Sequence, residues 1–292
     1  MVLNEMYTLS NGVEIPKLGL GTWMIDDERV VQVVKDALDL GYRHIDTAES
    51  YRNEKGVGRG IKESGVDRKK IFVTTKLEGD IKNYGEAVKA IDESLERLNM
   101  DYIDLMIIHS PQPWANFRDG NHYFEGNLEA WRALEEAYEA GKLRAIGVSN
   151  FEQVDLENLI HNGKVKPMVN QILAHITNVP SDVIEYSQSQ NIVVEAYSPI
   201  AHGAILDHPV VKKMAEKYEV SPAQLSIRYV IQLDTVALPK SISKDHMHMK
   251  DNAAVDFTIS EEDMKTLNEL PLIETYGDDQ IMPVFSSQYK NK

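Results

Sequence analysis

The stretch VVQVVKDALDLGYRHID, residues 30–46, reads as a helix, a stop and a strand in direct succession. Val30, Val34, Ala37 and Leu38 recur at three- and four-residue spacing, which gathers them on one apolar helix face. Gly41 follows at once. A glycine just past a helix accepts the left-handed conformation that closes it. Tyr42-Arg43-His44-Ile45 is then strand-like and ends on Asp46. The same order returns in LEAWRALEEAYEAGKLRAIGVSN, residues 128–150. Leu128, Trp131, Leu134 and Tyr138 mark the helix, Gly141 the stop, and the strand ends on Ser149 and Asn150. A helix that feeds straight into a strand, and does so repeatedly, is the building unit of a parallel sheet.

Working outward, further short, mostly β-branched runs appear at Ile71-Phe72-Val73, Leu105-Met106-Ile107-Ile108, Ala145-Ile146-Gly147-Val148, Ile192-Val193-Val194 and Val236-Ala237-Leu238. Continuous apolar runs of this length suit strands buried on both faces. Ala87, Ile91, Leu95 and Leu98 mark another amphipathic helix. About eight strands are predicted, near 18–20, 43–46, 71–75, 103–108, 143–148, 168–171, 192–196 and 235–238. Such alternation predicts an α/β chain folded as a (β/α)8 TIM barrel. An open doubly wound sheet is the competing fold. Asn11-Gly12 is a strong hairpin turn within Tyr7–Pro16, and predicts an N-terminal β-hairpin that caps the bottom of the barrel. No composition shift or linker divides residues 1–292, which are read as a single domain. Two stretches fit neither element type. Pro111–Glu125 carries Trp114, Phe117, Tyr123 and Phe124, and Pro271–Lys292 carries Tyr276, Ile281, Met282 and Phe285. Long loops in a compact domain serve as lids or binding loops or are disordered; the aromatics favour the first two.

Composition narrows the function classes. The 292 residues carry a formal net charge of -15. A uniformly acidic surface repels phosphate backbones and anionic lipid heads, so neither nucleic acid nor a membrane is an expected partner. The absence of cysteine removes disulfides, thiolate metal ligands and a thiol nucleophile together, and fits a reducing compartment. The first residues show no basic start followed by an apolar run, and no segment has the long uncharged apolar run of a membrane helix. A cytoplasmic protein is expected.

In a barrel of this type the active site lies where the strands end and the βα loops begin. The predicted strand ends are polar almost without exception: Asp46 with Tyr51 shortly after it, Lys76, His109, Ser149 and Asn150, Gln171, Tyr197 and Ser198, and Lys240 and Ser241. Any one of these is ordinarily a cap, a rim residue or a packed ring. Together they converge on one pocket. Asp46, Tyr51, Lys76 and His109 have a coherent joint role in reducing a carbonyl, which takes a hydride on carbon and a proton on oxygen. A phenol is a weak acid, with a reference pKa of about 10. A neighbouring ammonium lowers that value. Lys76 is placed to supply the charge, Asp46 to hold Lys76, and His109 to donate a hydrogen bond to the carbonyl oxygen as negative charge grows on it. Tyr51 is then the proton donor. Metal catalysis is not expected: there is no cysteine and no His-Glu-x-x-His pattern, and Asp245, His246 and His248, or Asp46 with His109, are weak ligand sets.

At these residues the sequence resembles the aldo-keto reductase family, in particular its bacterial-type NADPH-dependent members. Gly41-Tyr42-Arg43-His44-Ile45-Asp46-Thr47-Ala48-Glu49-Ser50-Tyr51 is similar to the segment joining the family's catalytic Asp and Tyr. Lys76 in Val73-Thr74-Thr75-Lys76 matches the catalytic Lys, and His109 at the end of Asp101–His109 matches the substrate-orienting His. Gly147-Val148-Ser149-Asn150-Phe151 is a further shared motif. The resemblance runs in order from about residue 12 to about residue 260. It implies NADPH, with NADH allowed, bound in an extended pose. Ser149, Asn150 and Gln171 would hold the nicotinamide carboxamide, and Tyr197 would stack on its ring. Ser198, Pro199 and Ile200 would run along the pyrophosphate. Gly21, Thr22, Trp23 and Asp46 would border the nicotinamide, and Lys240 and Ser241 would grip the 2′-phosphate. A strand-end lysine in a strongly acidic chain independently suggests a bound anion. Substrate would meet Trp23, Tyr51, His109 and Trp114. Gly56-Val57-Gly58-Arg59-Gly60 is no dinucleotide motif, because it lies in a helix-like stretch instead of a strand-to-helix turn; it reads as helix packing.

The chain departs from the family pattern at three places. The family often has an adenine-stacking Arg before an Asn, and here the run is His246-Met247-His248-Met249-Lys250-Asp251-Asn252. Counting back from Asn252 puts His248 at the Arg position, with His246 the other choice. After Gln171 the chain reads Ile172-Leu173-Ala174-His175-Ile176 in place of the family's acidic and His-Pro residues. Ser110-Pro111 follows His109 where many relatives have Trp. The expected activity is reduction of small carbonyl compounds by a monomer or small homo-oligomer. The alternative is an NADP(H)-sensing regulatory subunit on the same scaffold, and a metal-dependent barrel hydrolase using Asp46 and His109 comes third.

Overall fold

The eight barrel strands are fully or almost fully buried because each has the barrel interior on one face and a helix layer on the other. The computed structural model describes residues 1–242, 247–273, 276 and 282–285. The chain begins with the antiparallel pair β1 (Met6–Thr8) and β2 (Glu14–Pro16), in register Tyr7 with Ile15. The parallel strands follow: β3 (Leu20–Gly21), β4 (His44–Asp46), β5 (Phe72–Leu77), β6 (Ile103–Ile108), β7 (Leu143–Ser149), β8 (Val169–Leu173), β9 (Val193–Tyr197) and β10 (Thr235–Leu238). Their spatial order is their chain order. The ring closes between its first and last strands. Gly19 N donates to Ala237 O at 2.9 Å and Gly21 N to Pro239 O at 3.0 Å, with parallel bridges Leu18–Ala237 and Gly21–Lys240. Closure rules out the open doubly wound sheet.

The helices sit between strands as expected: α1 (Asp27–Asp39), α2 (Glu54–Ser64), α3 (Tyr84–Leu98), α4 (Phe124–Glu139), α5 (Gln153–Asn162) and α6 (Ser181–Ser189). The crossover from β9 to β10 holds two, α7 (Pro209–Lys217) and α8 (Pro222–Ile231); α9 (Met247–Ala253) and α10 (Glu261–Asn268) follow β10. Val30, Val34, Ala37 and Leu38 of α1 are buried, and Gly41 and Gly141 take φ of 100° and 75°, the left-handed stops read from the sequence. The hairpin turns at Gly12, φ 86°. Asn11 Nδ2 donates to Arg144 O at 2.9 Å, at the start of β7, which pins the hairpin to the N-terminal end of the barrel. Among the described residues no helix is long and apolar enough to cross a membrane.

The glycines of α2 are packing residues. A Cβ at Gly56 would lie 2.0 Å from Asp27 O on α1, and one at Gly58 would lie 2.1 Å from Leu98 O at the end of α3. Backbone on the far side cannot rotate away as a side chain does. Gly58→Ala is therefore expected to lower unfolding stability by about 1–3 kcal/mol, read as a lower urea midpoint at unchanged m-value.

The described residues of both irregular stretches include some that lie at the C-terminal ends of the strands, Trp114 from the first and Phe285 from the second. The first contains a short 3-10 turn, Trp114–Asn116, and buries Phe117 to 2% exposure. An Arg118–Glu152 ion pair and a 2.7 Å contact from His122 Nδ1 to Asp155 Oδ1 tie it to α5 and its cap. In the second, Tyr276 OH meets His175 Nε2 at 2.6 Å, and Phe285 packs on Trp23 and Tyr276. Asp245, His246 and Ile281 lie outside the described residues.

Candidate active site

Parallel register puts Gly21 beside Asp46, Asp46 beside Thr74 and Ser149 beside Gln171. Strand ends thus arrive at one level, and polar residues beyond them face one another. A cavity of about 430 Å³ opens there. Asp46, Tyr51, His109, Ser149, Asn150, Gln171, Tyr197, Ser198, Pro199, Ile200 and Lys240 line it, with Gly21, Trp23 and Trp114.

Beneath its floor Lys76 is buried to 0% exposure. Its ammonium donates to Asp46 Oδ1 at 2.7 Å, to Thr47 O at 2.8 Å and to Tyr51 OH at 3.3 Å. These three acceptors satisfy a charge that could not otherwise be buried. The ammonium stays protonated: burial pushes its pKa down, but Asp46 and Tyr51 outweigh that and the net direction is up. For Tyr51 the expectation that Lys76 brings the phenol below its ordinary value is corrected. Lys76 does pull it down, but burial is the larger effect, Asp46 adds to it, and the net direction is up. The reason is that Asp46 already neutralises Lys76, so little field remains to offset desolvation. Tyr51 accordingly holds its proton at neutral pH.

His109 lies beside Tyr51, ring centroids 5.8 Å apart. Burial, then Lys76, holds its pKa well below the usual imidazole value, so the ring is neutral. Ser50 Oγ is 3.4 Å from His109 Nδ1. Trp114 stands edge-on to His109 at 5.3 Å and forms a wall although it is not adjacent in sequence.

The opposite wall is a hydrogen-bonded lattice. Ser149 Oγ donates to Gln171 O at 2.9 Å, and Asn150 Nδ2 to His109 O at 3.1 Å. Tyr197 OH donates to Asn150 Oδ1 at 2.7 Å. Besides Lys76, four sequence-predicted residues stand off the cavity. Thr22 is buried, its hydroxyl donating to Asp46 O at 2.9 Å. Ser241 is buried next to Lys240, its Oγ without a hydrogen-bond partner among the described residues. His248 is exposed on α9, and Asn252 is buried there. The sequence reading missed Met24, His202, Gly203, Leu238 and Val284, which also line the cavity, whereas Met282 and Phe285 come from the C-terminal stretch it read as a lid or binding loop. It also missed Glu195, buried inside β9. A carboxyl in the otherwise apolar strand Val193-Val194-Glu195-Ala196 was the available signal.

The comparisons agree with this geometry. Residues 17–271 match the profile of the aldo/keto reductase family. The chain is 41% identical to a glyoxal reductase of Bacillus subtilis (strain 168) over 276 residues, covering 94% of this chain and 96% of that one. It is 39% identical to a morphine 6-dehydrogenase of Pseudomonas putida, covering 91% of each. The crystal structure of a Bombyx mori aldo-keto reductase in complex with NADP superposes with a TM-score of 0.85 at 32% identity, covering 98% of this chain and 99% of that one. A closed (β/α)8 barrel, polar strand ends meeting in one cavity and matches along most of the chain agree: the protein belongs to the aldo/keto reductase family.

Proposed function

We propose that the protein reduces small aldehydes and ketones to alcohols with a nicotinamide cofactor, and that Tyr51 gives the proton to the carbonyl oxygen. The observation that carries this is the Tyr51 hydroxyl, held by the buried Lys76 at 3.3 Å on the floor of the cavity that His109 also faces. A nicotinamide held by the residues of that cavity would supply the hydride for the carbonyl carbon. The chain supplies everything else. Tyr51 OH and the neutral His109 ring converge on the carbonyl oxygen as charge develops there. Lys76 remains an ammonium and stabilises the phenolate left behind.

The cavity wall fits the cofactor. Ser149, Asn150 and Gln171 offer amide and hydroxyl groups for the carboxamide, and the Tyr197 ring, tethered through its hydroxyl, offers a stacking face. Ser198, Pro199 and Ile200 would follow the pyrophosphate, Gly21, Thr22, Trp23 and Asp46 would border the nicotinamide, and His248 and Asn252 would meet the adenosine end. Lys240 and the buried Ser241 hydroxyl, which has no hydrogen-bond partner among the described residues, suit a phosphate, which favours NADPH over NADH. Trp23, Tyr51, His109 and Trp114 would enclose the substrate. The absence of cysteine suits a cytoplasmic enzyme, acting as a monomer or small homo-oligomer.

The test is a panel of carbonyl compounds, methylglyoxal among them, assayed with NADPH and NADH in parallel. Loss of reduced-cofactor absorbance with at least one carbonyl is expected; none with either cofactor would return the chain to the sensing-subunit reading. Lys240→Ala is expected to raise KM for NADPH by about 10- to 100-fold, since a hydrogen bond to a charged group is worth about 1.5–3 kcal/mol. KM for NADH, which lacks the 2′-phosphate, stays unchanged. Equal losses with both cofactors would remove Lys240 from phosphate recognition.

A further inference from the structure

Glu195 is a carboxyl of the buried polar network under the cavity that the reaction as derived above does not use. It is fully buried on β9. Its Oε2 accepts from Gln171 Nε2 at 2.8 Å. The same nitrogen donates to Asp46 Oδ2 at 2.9 Å. One amide group therefore clamps two carboxyl groups. The Asp46 carboxylate, an acceptor only, fixes the amide's orientation, because the reverse would set carbonyl oxygen against carboxylate oxygen. Both hydrogens are committed, and only the carbonyl oxygen of Gln171 is left for the cavity it lines.

Charged and titratable groups face Glu195 from other strands of the barrel. From β5 comes Lys76, a cation already bound to Asp46 at 2.7 Å. From β4 come Asp46 and His44. His44 Nε2 is 3.6 Å from Glu195 Oε1 and 2.9 Å from Thr74 Oγ1. Burial, then Lys76, pushes His44 down to about 3 against the Pro16 carbonyl, so it brings no positive charge at neutral pH. From β8 comes the neutral Gln171. Among the described residues one cation thus serves two carboxyl groups, and Glu195 Oε1 makes no hydrogen bond. Burial and the Asp46 charge push Glu195 up to about 8, against Gln171 and Lys76. At neutral pH Glu195 is therefore the neutral partner, and its contact with His44 joins two uncharged groups.

We propose that Glu195 is a positioning residue for the reaction: through the Gln171 amide it orients the Asp46 carboxylate that holds Lys76 against Tyr51, and its proton decides whether this buried network carries one carboxylate or two. The proposal rests on Tyr51 being the proton donor. A second carboxylate disfavours the Tyr51 phenolate. It thereby raises the pH at which reduction runs out of protonated Tyr51, and equally the pH at which alcohol oxidation gains its phenolate base.

Glu195→Gln keeps the shape and an acceptor oxygen for Gln171 but cannot ionise. In this variant the alkaline limb of kcat/KM for reduction, and the acid limb for oxidation, are expected to move down together by about half a unit to one unit, with KM for the cofactor unchanged. Glu195→Leu removes the clamp as well and is expected to raise KM for the cofactor several-fold, which Glu195→Gln does not. A merely space-filling Glu195 would leave the pH profile of Glu195→Gln superimposed on that of the wild type, and this result overturns the proposal. Infrared spectroscopy of the wild-type protein tests the network without turnover and without a variant. A protonated-carboxyl band is expected at neutral pH and is lost as pH rises through about 8. A spectrum with no such band also overturns the proposal. A wild-type protein that reduces no carbonyl at all sinks the proposed function instead, and the infrared result still decides the state of Glu195.

Discussion

Tyr51→Phe is expected to lower kcat for carbonyl reduction by about 10²- to 10⁴-fold, the usual worth of a placed general acid, while cofactor affinity stays as in the wild type. The substitution removes one oxygen. The ring keeps its place against His109, 5.8 Å away, and Lys76 keeps its two shorter bonds, to Asp46 at 2.7 Å and Thr47 O at 2.8 Å. Among the described residues the wall formed by Ser149, Asn150 and Tyr197 makes no hydrogen bond to the Tyr51 hydroxyl, and it is left intact. Steady-state kinetics and a fluorescence titration with NADPH separate the two effects. Full activity in Tyr51→Phe would assign the proton to another group, and His109 is the candidate within reach of the cavity.

Lys76→Met affects two quantities at once. Activity falls at least as far as in Tyr51→Phe, because the phenolate formed on proton transfer loses the cation that stabilises it. Stability falls too, by about 3–5 kcal/mol, the cost of leaving a buried charge without its partner. Asp46, 4% exposed, would then face Gln171 and Glu195 with no cation. Adding Asp46→Asn removes the orphaned charge and is expected to recover part of the stability but none of the activity. Urea unfolding of the single and double variants, alongside turnover, checks both. Unchanged stability in Lys76→Met would mean that water or rearrangement replaces the ammonium, contrary to a fully closed site.

The difference between the two effects shows how far sequence can be read. Lys76 is found from sequence because it stands at a predicted strand end, where a barrel of this type gathers its active-site residues. That it costs stability to remove depends on Asp46, thirty positions earlier, and on how little water reaches either residue. The pKa of Tyr51 shows the same limit. The sequence brings Lys76 to mind as a cation near the phenol and yields the correct sign for that one pair. The net direction is reversed by burial, which is a sum over everything packed around the ring. Likewise Trp114, whose distance from His109 in sequence left the wall open, reaches that wall through the turn Trp114–Asn116, whose geometry no periodicity encodes.

What the sequence determined by itself is local and periodic. Apolar spacing set the helices, Gly41 and Gly141 stopped them, and short apolar runs made the strands of a (β/α)8 barrel. In that barrel the polar strand-end residues, Tyr51 among the loops they open, must meet. What only the tertiary structure decided is through-space: the closure of the ring between Gly21 and Lys240, the aromatic lining by Phe285, and the clamp of Gln171 on Asp46 and Glu195, 125 and 24 positions away. Hydrophobic periodicity acts between residues a turn apart, whereas a carboxyl's charge is settled by the burial and counter-charges that surround it in the folded chain.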